Sequence, residues 1–320
     1  METGQKIPLL IVAGPTATGK TDVAIRAAKK LGGEVVSADS MLIYRHMDIG
    51  TAKPDDEDKR GIPHHLIDIV EPDAGYSVEI YQKQARQVIE DINARGKLPI
   101  LAGGTGFYID TVVFNYDFNR AAPDTGLRRM LTREAEEKGN RAVHDRLRAV
   151  DPGAADRIHA NNLKRVIRAL EIHDQTGATG ALQRTRSKEA YPLYDQLFFG
   201  LYYERDELYR RIEKRVDLMM ARGLVDEVRG LLELGYHPEL VSMQGLGYKE
   251  IAGYLQNRYP LDEAVQLLKR NTRRFAKRQL TWFRRYSNIK WIDMGQYVST
   301  CRAAADGIAG VARDKWQVDR

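Results

Sequence analysis

The sequence predicts an α/β fold: a parallel sheet flanked by helices, with an all-helical insertion domain. Three observations predict it. Short apolar runs alternate with helical periodicity through the first third of the chain, the order in which parallel strands and crossover helices occur. Strand signals vanish between residues 119 and 190. A strand-like run (QLFFGLY) returns at 196–202, and the rest is mostly helical.

Each element has its own reason. Residues 7–13 (IPLLIVA) are a continuous apolar run, as a strand buried on both faces requires. Residues 21–31 place Ala24, Ala27, Ala28 and Leu31 at helical spacing and stop at Gly32-Gly33. Residues 34–38 read as a second strand. Residues 78–94 read as a helix with Ile80, Tyr81, Ala85, Val88, Ile89 and Ile92 on one face. Residues 98–102 are a further strand ending in Gly103-Gly104. The character changes near Asp117. Residues 119–190 carry fifteen basic and ten acidic side chains, with helices at 127–138 and 162–176 broken by Pro123, Asp151-Pro152-Gly153 and Gly177. The predicted division is a core domain of residues 1–116 and 197–320, and a helical insertion of 117–196.

Composition narrows the function classes. The 320 residues carry 50 Lys and Arg against 44 Asp and Glu, a net charge of +6, with 43% hydrophobic side chains. Wholesale disorder is excluded by that balance. The one cysteine, Cys301, excludes a disulfide framework within one chain and a cysteine-based zinc site. The opening apolar run is too short to span a membrane and leads into glycines rather than a cleavage site. The expectation is a soluble protein of the cytoplasm, without a membrane partner. The positive balance permits a polyanionic partner but does not demand one.

The sharpest motif is Gly14-Pro15-Thr16-Ala17-Thr18-Gly19-Lys20-Thr21. It fits G-x-x-x-x-G-K-[ST] at every fixed position, after a predicted strand and before a predicted helix. Glycines let backbone N–H groups converge on phosphate oxygens, and the helix N-terminus adds partial positive charge. Lys20 supplies a full charge at the terminal phosphates, and Thr21 is a ligand for Mg²⁺. The motif specifies polyphosphate with Mg²⁺ on a P-loop NTPase-like sheet; it does not specify ATP.

Asp39 follows the second strand, at the sheet end where α/β proteins place ligands. There it either holds Mg²⁺, acts as a base, or caps a helix. Gly103-Gly104-Thr105-Gly106 repeats the arrangement, either as a site offering the Thr105 hydroxyl or as a plain strand-to-helix turn. His64-His65 lacks the further ligands zinc needs; a structural or substrate-contacting loop is expected. Residues 269–290 hold nine basic residues and no acid, with Leu268, Thr272, Ala276, Leu280 and Phe283 at helical spacing. That is an amphipathic helix with an unbalanced basic face, suited to nucleic acid. Trp282, Phe283 and Tyr286 either stack on bases or pack in the core. Arg184, Arg186 and Lys188 add to the insertion's basic character.

Together these features resemble the tRNA dimethylallyltransferases (isopentenyl-tRNA transferases). The resemblance runs from about Ile11 to Arg285. It rests on residues 14–21, Asp39-Ser-Met-Leu-Ile-Tyr-Arg45, Met47-Asp-Ile-Gly-Thr-Ala-Lys-Pro54, Pro63-His-His-Leu-Ile-Asp68 and Gly103-Gly-Thr-Gly-Phe-Tyr108. Later come Arg168-Ala-Leu-Glu171, Gly245-Leu-Gly-Tyr-Lys-Glu250 and Lys277-Arg-Gln-Leu-Thr-Trp282. Thr18 stands where the family usually has Ser, which keeps the hydroxyl. Eukaryotic members often carry a zinc finger; this chain lacks the cysteines and resembles the bacterial form.

The resemblance implies transfer of the dimethylallyl group of dimethylallyl diphosphate to N6 of the adenine just 3′ of the anticodon (position 37), releasing pyrophosphate. It implies that the loop from Gly14 to Thr21 holds this diphosphate, and that Lys20, Mg²⁺ and Arg215 offset the leaving group's charge. Asp39 would take the N6 proton and Thr105 would steady the reacting groups. Four segments match the family's tRNA contacts: Asp39, Ser40, Met41 and Leu42; Lys164, Arg165, Val166, Ile167 and Arg168; Gln244, Gly245, Leu246, Gly247, Tyr248 and Lys249; and Lys277, Arg278, Gln279, Trp282 and Arg284. Arg128 aligns with a tRNA-contact arginine in the insertion, which in the family grips the anticodon stem. A monomer is expected. Two other readings fit the phosphate loop: a small-molecule or nucleotide kinase, which leaves the basic stretch unexplained, and an RNA-binding protein with a relict loop, which leaves Lys20, Thr21 and Asp39 unexplained.

Overall fold

The computed structural model describes residues 6–116, 118, 124–177, 192–296 and 300–317. The chain divides into two units, one of Met1–Val113 with Pro192–Arg320 and one of Phe114–Tyr191.

The first unit is built on β1 (Pro8–Ala13), α1 (Lys20–Leu31), β2 (Gly33–Ser37), a short α2 (Asp56–Lys59), β3 (His64–His65), α3 (Val78–Ala94), β4 (Leu98–Gly103) and α4 (Gly106–Val113). Its six strands run in the order β3-β2-β4-β1-β5-β6, all pairings parallel, with β5 at Asp195–Tyr202 and β6 at Lys290–Asp293. The central strand β1 is enclosed by β4 and β5, with Ile11 opposite both Leu101 and Phe198. Leu9 to Ala13 are wholly buried, which is why this run lacks alternation. Gly19 and Gly32 flank α1 in the left-handed region (φ 82° and 60°), where a side chain would be strained. Ser77 caps α3 by accepting from the Ile80 N–H, and Tyr81, Ala85, Ile89 and Ile92 form its buried face.

The second unit holds α5 (Thr125–Lys138), α6 (Asn140–Val150), α7 (Pro152–Arg157) and α8 (Leu163–Thr176). Its own core gathers Leu131, Val143, Leu147, Val166 and Ile167. Arg184, Arg186 and Lys188 lie outside the described residues. The strand β5 begins at Asp195, and residues 192–196 belong with the sheet rather than the insertion.

After β5 the first unit continues through α9 (Arg205–Ala221), α10 (Leu224–Glu233), α11 (Tyr248–Leu255), α12 (Leu261–Phe283) and α13 (Thr300–Trp316). The basic stretch 269–290 is not one helix: α12 starts at Leu261 and stops at Phe283, and Lys290 opens β6. Leu268, Thr272, Ala276 and Phe283 form its buried stripe as expected. The helix α13 answers no sequence motif. It packs Ala304, Ala305, Ile308, Ala309 and Ala312 into the core that α1 shares, small side chains that let two helices approach closely.

Candidate active site at the ends of the parallel strands

The phosphate loop follows β1 directly. A Cβ on Gly14 would lie 2.6 Å from the Leu201 carbonyl oxygen, so the loop presses on β5 as only glycine permits. The Thr18 hydroxyl donates to the Pro15 carbonyl at 2.8 Å, and Lys20 Nζ reaches the same oxygen at 3.3 Å. Arg211 Nε, from α9, donates to the Ala17 carbonyl at 3.0 Å. Gln279, from α12, accepts from the Thr16 N–H at 3.0 Å and donates to the Gly104 carbonyl at 2.9 Å. At 6% exposure, Gln279 ties the loop to the end of β4 and lines the cavity beside it.

Asp39 stands just past β2. Its Oδ1 accepts from the Met41 N–H at 2.9 Å; Oδ2 has no partner among the described residues. Thr105, past β4, accepts from the Ser40 N–H at 3.1 Å, and its own N–H donates to the Ala38 carbonyl at 3.0 Å. Thr105 thus fixes the residues on both sides of Asp39. Its hydroxyl meets Ser40 and is absent from the lining of the adjoining cavity.

A cavity of about 320 Å³ opens here. Lys20, Thr21, Asp39 and Arg215 all line it. Among the described residues Asp39 is the sole carboxylate of its lining, against Lys20, Arg215, Lys249 and Arg278, so the cavity suits an anion. Met41, Val216, Met219, Leu246, Leu268 and Phe275 supply an apolar wall. Burial lowers the Lys20 ammonium to about 8 despite the opposing pull of Asp39, with Arg215 adding to the lowering. Burial also lowers the Arg215 guanidinium. Arg215 Nη2 donates to the Thr51 carbonyl at 3.3 Å, and no described carboxylate pairs with it. Two half-buried cations that share one nearby carboxylate, Asp39, are poised for an anionic ligand.

The donors present fit a hard cation. Thr21 and Ser37 line the same cavity, and Ser37 Oγ is buried without a hydrogen-bond partner. Mg²⁺ takes such oxygens together with phosphate oxygens and water. Among the described residues no cluster of three or more His, Cys, Asp or Glu is arranged to hold a metal. His64 and His65 form the edge strand β3; His65 Nε2 pairs with Glu34 Oε2 at 2.7 Å, and His64 lines the cavity.

The residues expected to meet RNA separate into groups. Asp39, Ser40, Met41, Leu42, Gln244, Gly245, Leu246, Tyr248, Lys249, Arg278 and Gln279 line the cavity. Lys277, Arg278 and Arg284 are exposed and have no carboxylate partner among the described residues. Lys269, Arg273 and Arg285 do have one, in Asp217, Glu213 and Asp110, so the basic run is less unbalanced than its sequence. Tyr248 is wholly buried, hydrogen-bonds Glu227 and contributes to the cavity wall. Gly247, also buried, starts α11 at φ 93°. Trp282 packs against Gly106 and the Phe107 ring, with the Arg285 guanidinium 3.9 Å above it. In the second unit, Lys164 and Arg165 are exposed, whereas Val166 and Ile167 are core residues at 0% and 6% exposure and cannot touch RNA with their side chains. Arg128 and Arg168 both clamp the buried Glu171, a charge whose position in sequence gave no hint of burial.

The sequence matches the family described as IPP transferase over residues 42–286. A protein named tRNA dimethylallyltransferase from Pelotomaculum thermopropionicum is 54% identical over 305 residues, covering 95% of this chain and 96% of the relative. One of the same name from Alkaliphilus oremlandii is 53% identical, covering 94% and 95%. Among solved structures, the tRNA isopentenylpyrophosphate transferase of Bacillus halodurans has a TM-score of 0.71 at 42% identity, covering 98% of this chain and 99% of that one. A eukaryotic dimethylallyltransferase acting on tRNA has a TM-score of 0.81 at 28% identity, covering 98% and 81%.

Proposed function

This chain belongs to the IPP transferase family and is an enzyme of dimethylallyl transfer to tRNA; we propose that its donor is dimethylallyl diphosphate and its acceptor N6 of the adenine just 3′ of the anticodon. One observation carries this reading: Lys20, Arg215 and the lone carboxylate Asp39 share a cavity with an apolar wall. The diphosphate lies along residues 14–21, with Lys20 and Arg215 on the oxygens where charge builds as pyrophosphate departs. Thr21 would hold Mg²⁺, which when bound supplies Lewis-acid stabilisation to the same oxygens.

The apolar wall takes the five-carbon chain. The exocyclic amine is a weak nucleophile because its lone pair is delocalised into the ring. Its lone pair forms the N6–C1 bond as the C1–O bond breaks, the electron pair of that bond leaving with pyrophosphate. The surplus N6 proton passes to Asp39 Oδ2, while Met41 and Thr105 hold the Asp39 segment still. To reach this site the adenine leaves its stack, which an anticodon loop permits. The exposed cations Lys164, Arg165, Lys277, Arg278 and Arg284 bind tRNA phosphates. The enzyme works in the bacterial cytoplasm, where tRNA is; no described helix is long and apolar enough to cross a membrane.

The deciding experiment is pyrophosphate release from dimethylallyl diphosphate with Mg²⁺, with and without unmodified tRNA carrying that adenine, beside ATP. Release that requires tRNA, with ATP untouched, is expected. Turnover of ATP and silence with dimethylallyl diphosphate would overturn the reading in favour of a kinase.

A further inference from the structure

Glu227 lies outside the cavity lining, yet its carboxylate is unusually engaged. Oε2 accepts from the N–H groups of Asp48 (2.9 Å) and Ile49 (2.7 Å), and Oε1 from Gly50 N–H (3.0 Å) and the Tyr248 hydroxyl (2.7 Å). Three consecutive backbone N–H groups converging on one anion form a concave nest. The fourth donor comes from a wholly buried tyrosine whose hydroxyl burial and Glu227 keep protonated well above its ordinary value. A Cβ on Gly50 would lie 2.6 Å from the Tyr248 ring, so this packing requires glycine.

The next residue is Thr51. Its carbonyl accepts from Arg215 Nη2, and its hydroxyl donates to the Met47 carbonyl at 2.6 Å. Gly50, Thr51, Ala52, Tyr248 and Arg215 all line the cavity. One chain of contacts therefore runs from Glu227 through residues 48–50 to Thr51 and Arg215. Resting on the proposed role of Arg215 at the diphosphate, we infer that Glu227 is a positioning residue for the reaction: it fixes the loop whose Thr51 carbonyl aims the Arg215 guanidinium. An anchored carbonyl aims a cation without neutralising it, which a carboxylate in the same place would do.

The test is a double-mutant cycle on the full chain, with Glu227→Gln, Arg215→Ala and the two combined. Gln keeps the shape but turns one acceptor into a donor facing N–H groups. Glu227→Gln is expected to lower kcat about tenfold or more, the scale of a slightly misplaced catalytic group, with the KM for tRNA nearly unchanged. In the Arg215→Ala background the same substitution is expected to change kcat less than about twofold. The inference is overturned if Glu227→Gln leaves kcat intact, or slows Arg215→Ala by the factor it slows wild type. Tyr248→Phe, which removes one donor and keeps the ring, runs the same cycle should Glu227→Gln not fold. Binding of inorganic pyrophosphate, measured by calorimetry, gives a readout independent of the donor: weaker in Glu227→Gln than in wild type, and equal in Arg215→Ala with or without it. If wild type fails to turn over dimethylallyl diphosphate, the functional reading falls while this binding cycle still decides on Glu227.

Discussion

Gln279 Oε1 accepts the Thr16 backbone N–H while its Nε2 donates to the Gly104 carbonyl, so one buried amide of α12 holds the phosphate loop and the end of β4 together. Gln279→Leu keeps the volume and takes from both backbone groups the partner they share. It is expected to cost about 1–3 kcal/mol of stability and to raise the KM for dimethylallyl diphosphate. Thermal unfolding and steady-state kinetics check the two halves. An unchanged KM would separate Gln279 from loop geometry.

Asp39→Ala is expected to lower transfer by about 10²–10⁴-fold, the scale of a lost general base. Affinity for tRNA should stay within a few-fold, since Ser40, Met41 and Leu42 remain. Single-turnover transfer beside a binding isotherm reads both. Transfer near wild type would remove Asp39 from the proton.

Lys20 carries a pH prediction. With its ammonium lowered to about 8 by burial, the free enzyme holds this charge below about 8 and loses it above. The donor KM should therefore rise as pH climbs through that value. Bound diphosphate favours the charged form and should move the same titration upward in the complex. A flat KM profile from pH 7 to 9.5 would count against Lys20 as the phosphate cation.

Lys277→Ala with Arg278→Ala is expected to weaken tRNA binding at low salt more than at high salt. The slope of log K against log salt should fall by about 0.7–0.9 for each phosphate left without its cation. An identical slope would make these two side chains a solvated face.

Glu171 predicts an acid-sensitive second unit. Burial alone would raise its carboxyl, but hydrogen bonds from Arg128, Arg168 and the Asp124 N–H outweigh that and lower it. A carboxyl lowered on folding contributes stability above its unfolded value and loses it as pH falls through the folded one. Glu171→Gln is expected to unfold at lower temperature at neutral pH, by an amount that shrinks toward acid. Melting curves at neutral and acid pH check this.

The fold was legible wherever the signal was local. The run at residues 7–13 and the glycines around α1 announce themselves, and α3 spans the residues its periodicity marks. What escaped was tertiary. The edge strand β3 is two residues long and exists only because Val35 and Val36 offer it an edge. The helix α13 is known by its neighbours rather than its pattern. Sites divided likewise: Lys20, Thr21 and Asp39 were placed by motif and strand end. Val166 and Ile167 sit inside a segment expected to touch RNA but face the core of their own unit, because a helix carrying a binding face must also bury one. Glu227 and Arg211 were not singled out, since their partners are backbone groups of loops far away in sequence.

The strand order β2-β4-β1 sets a length. The phosphate loop leaves the end of β1 and Asp39 the end of β2, one strand lying between them. Two inter-strand steps of about 4.8 Å separate those ends by roughly 10 Å. The sheet is thus a fixed ruler between the loop and the carboxylate: neither end can shift toward the other without breaking the pairing of β4 with both its neighbours.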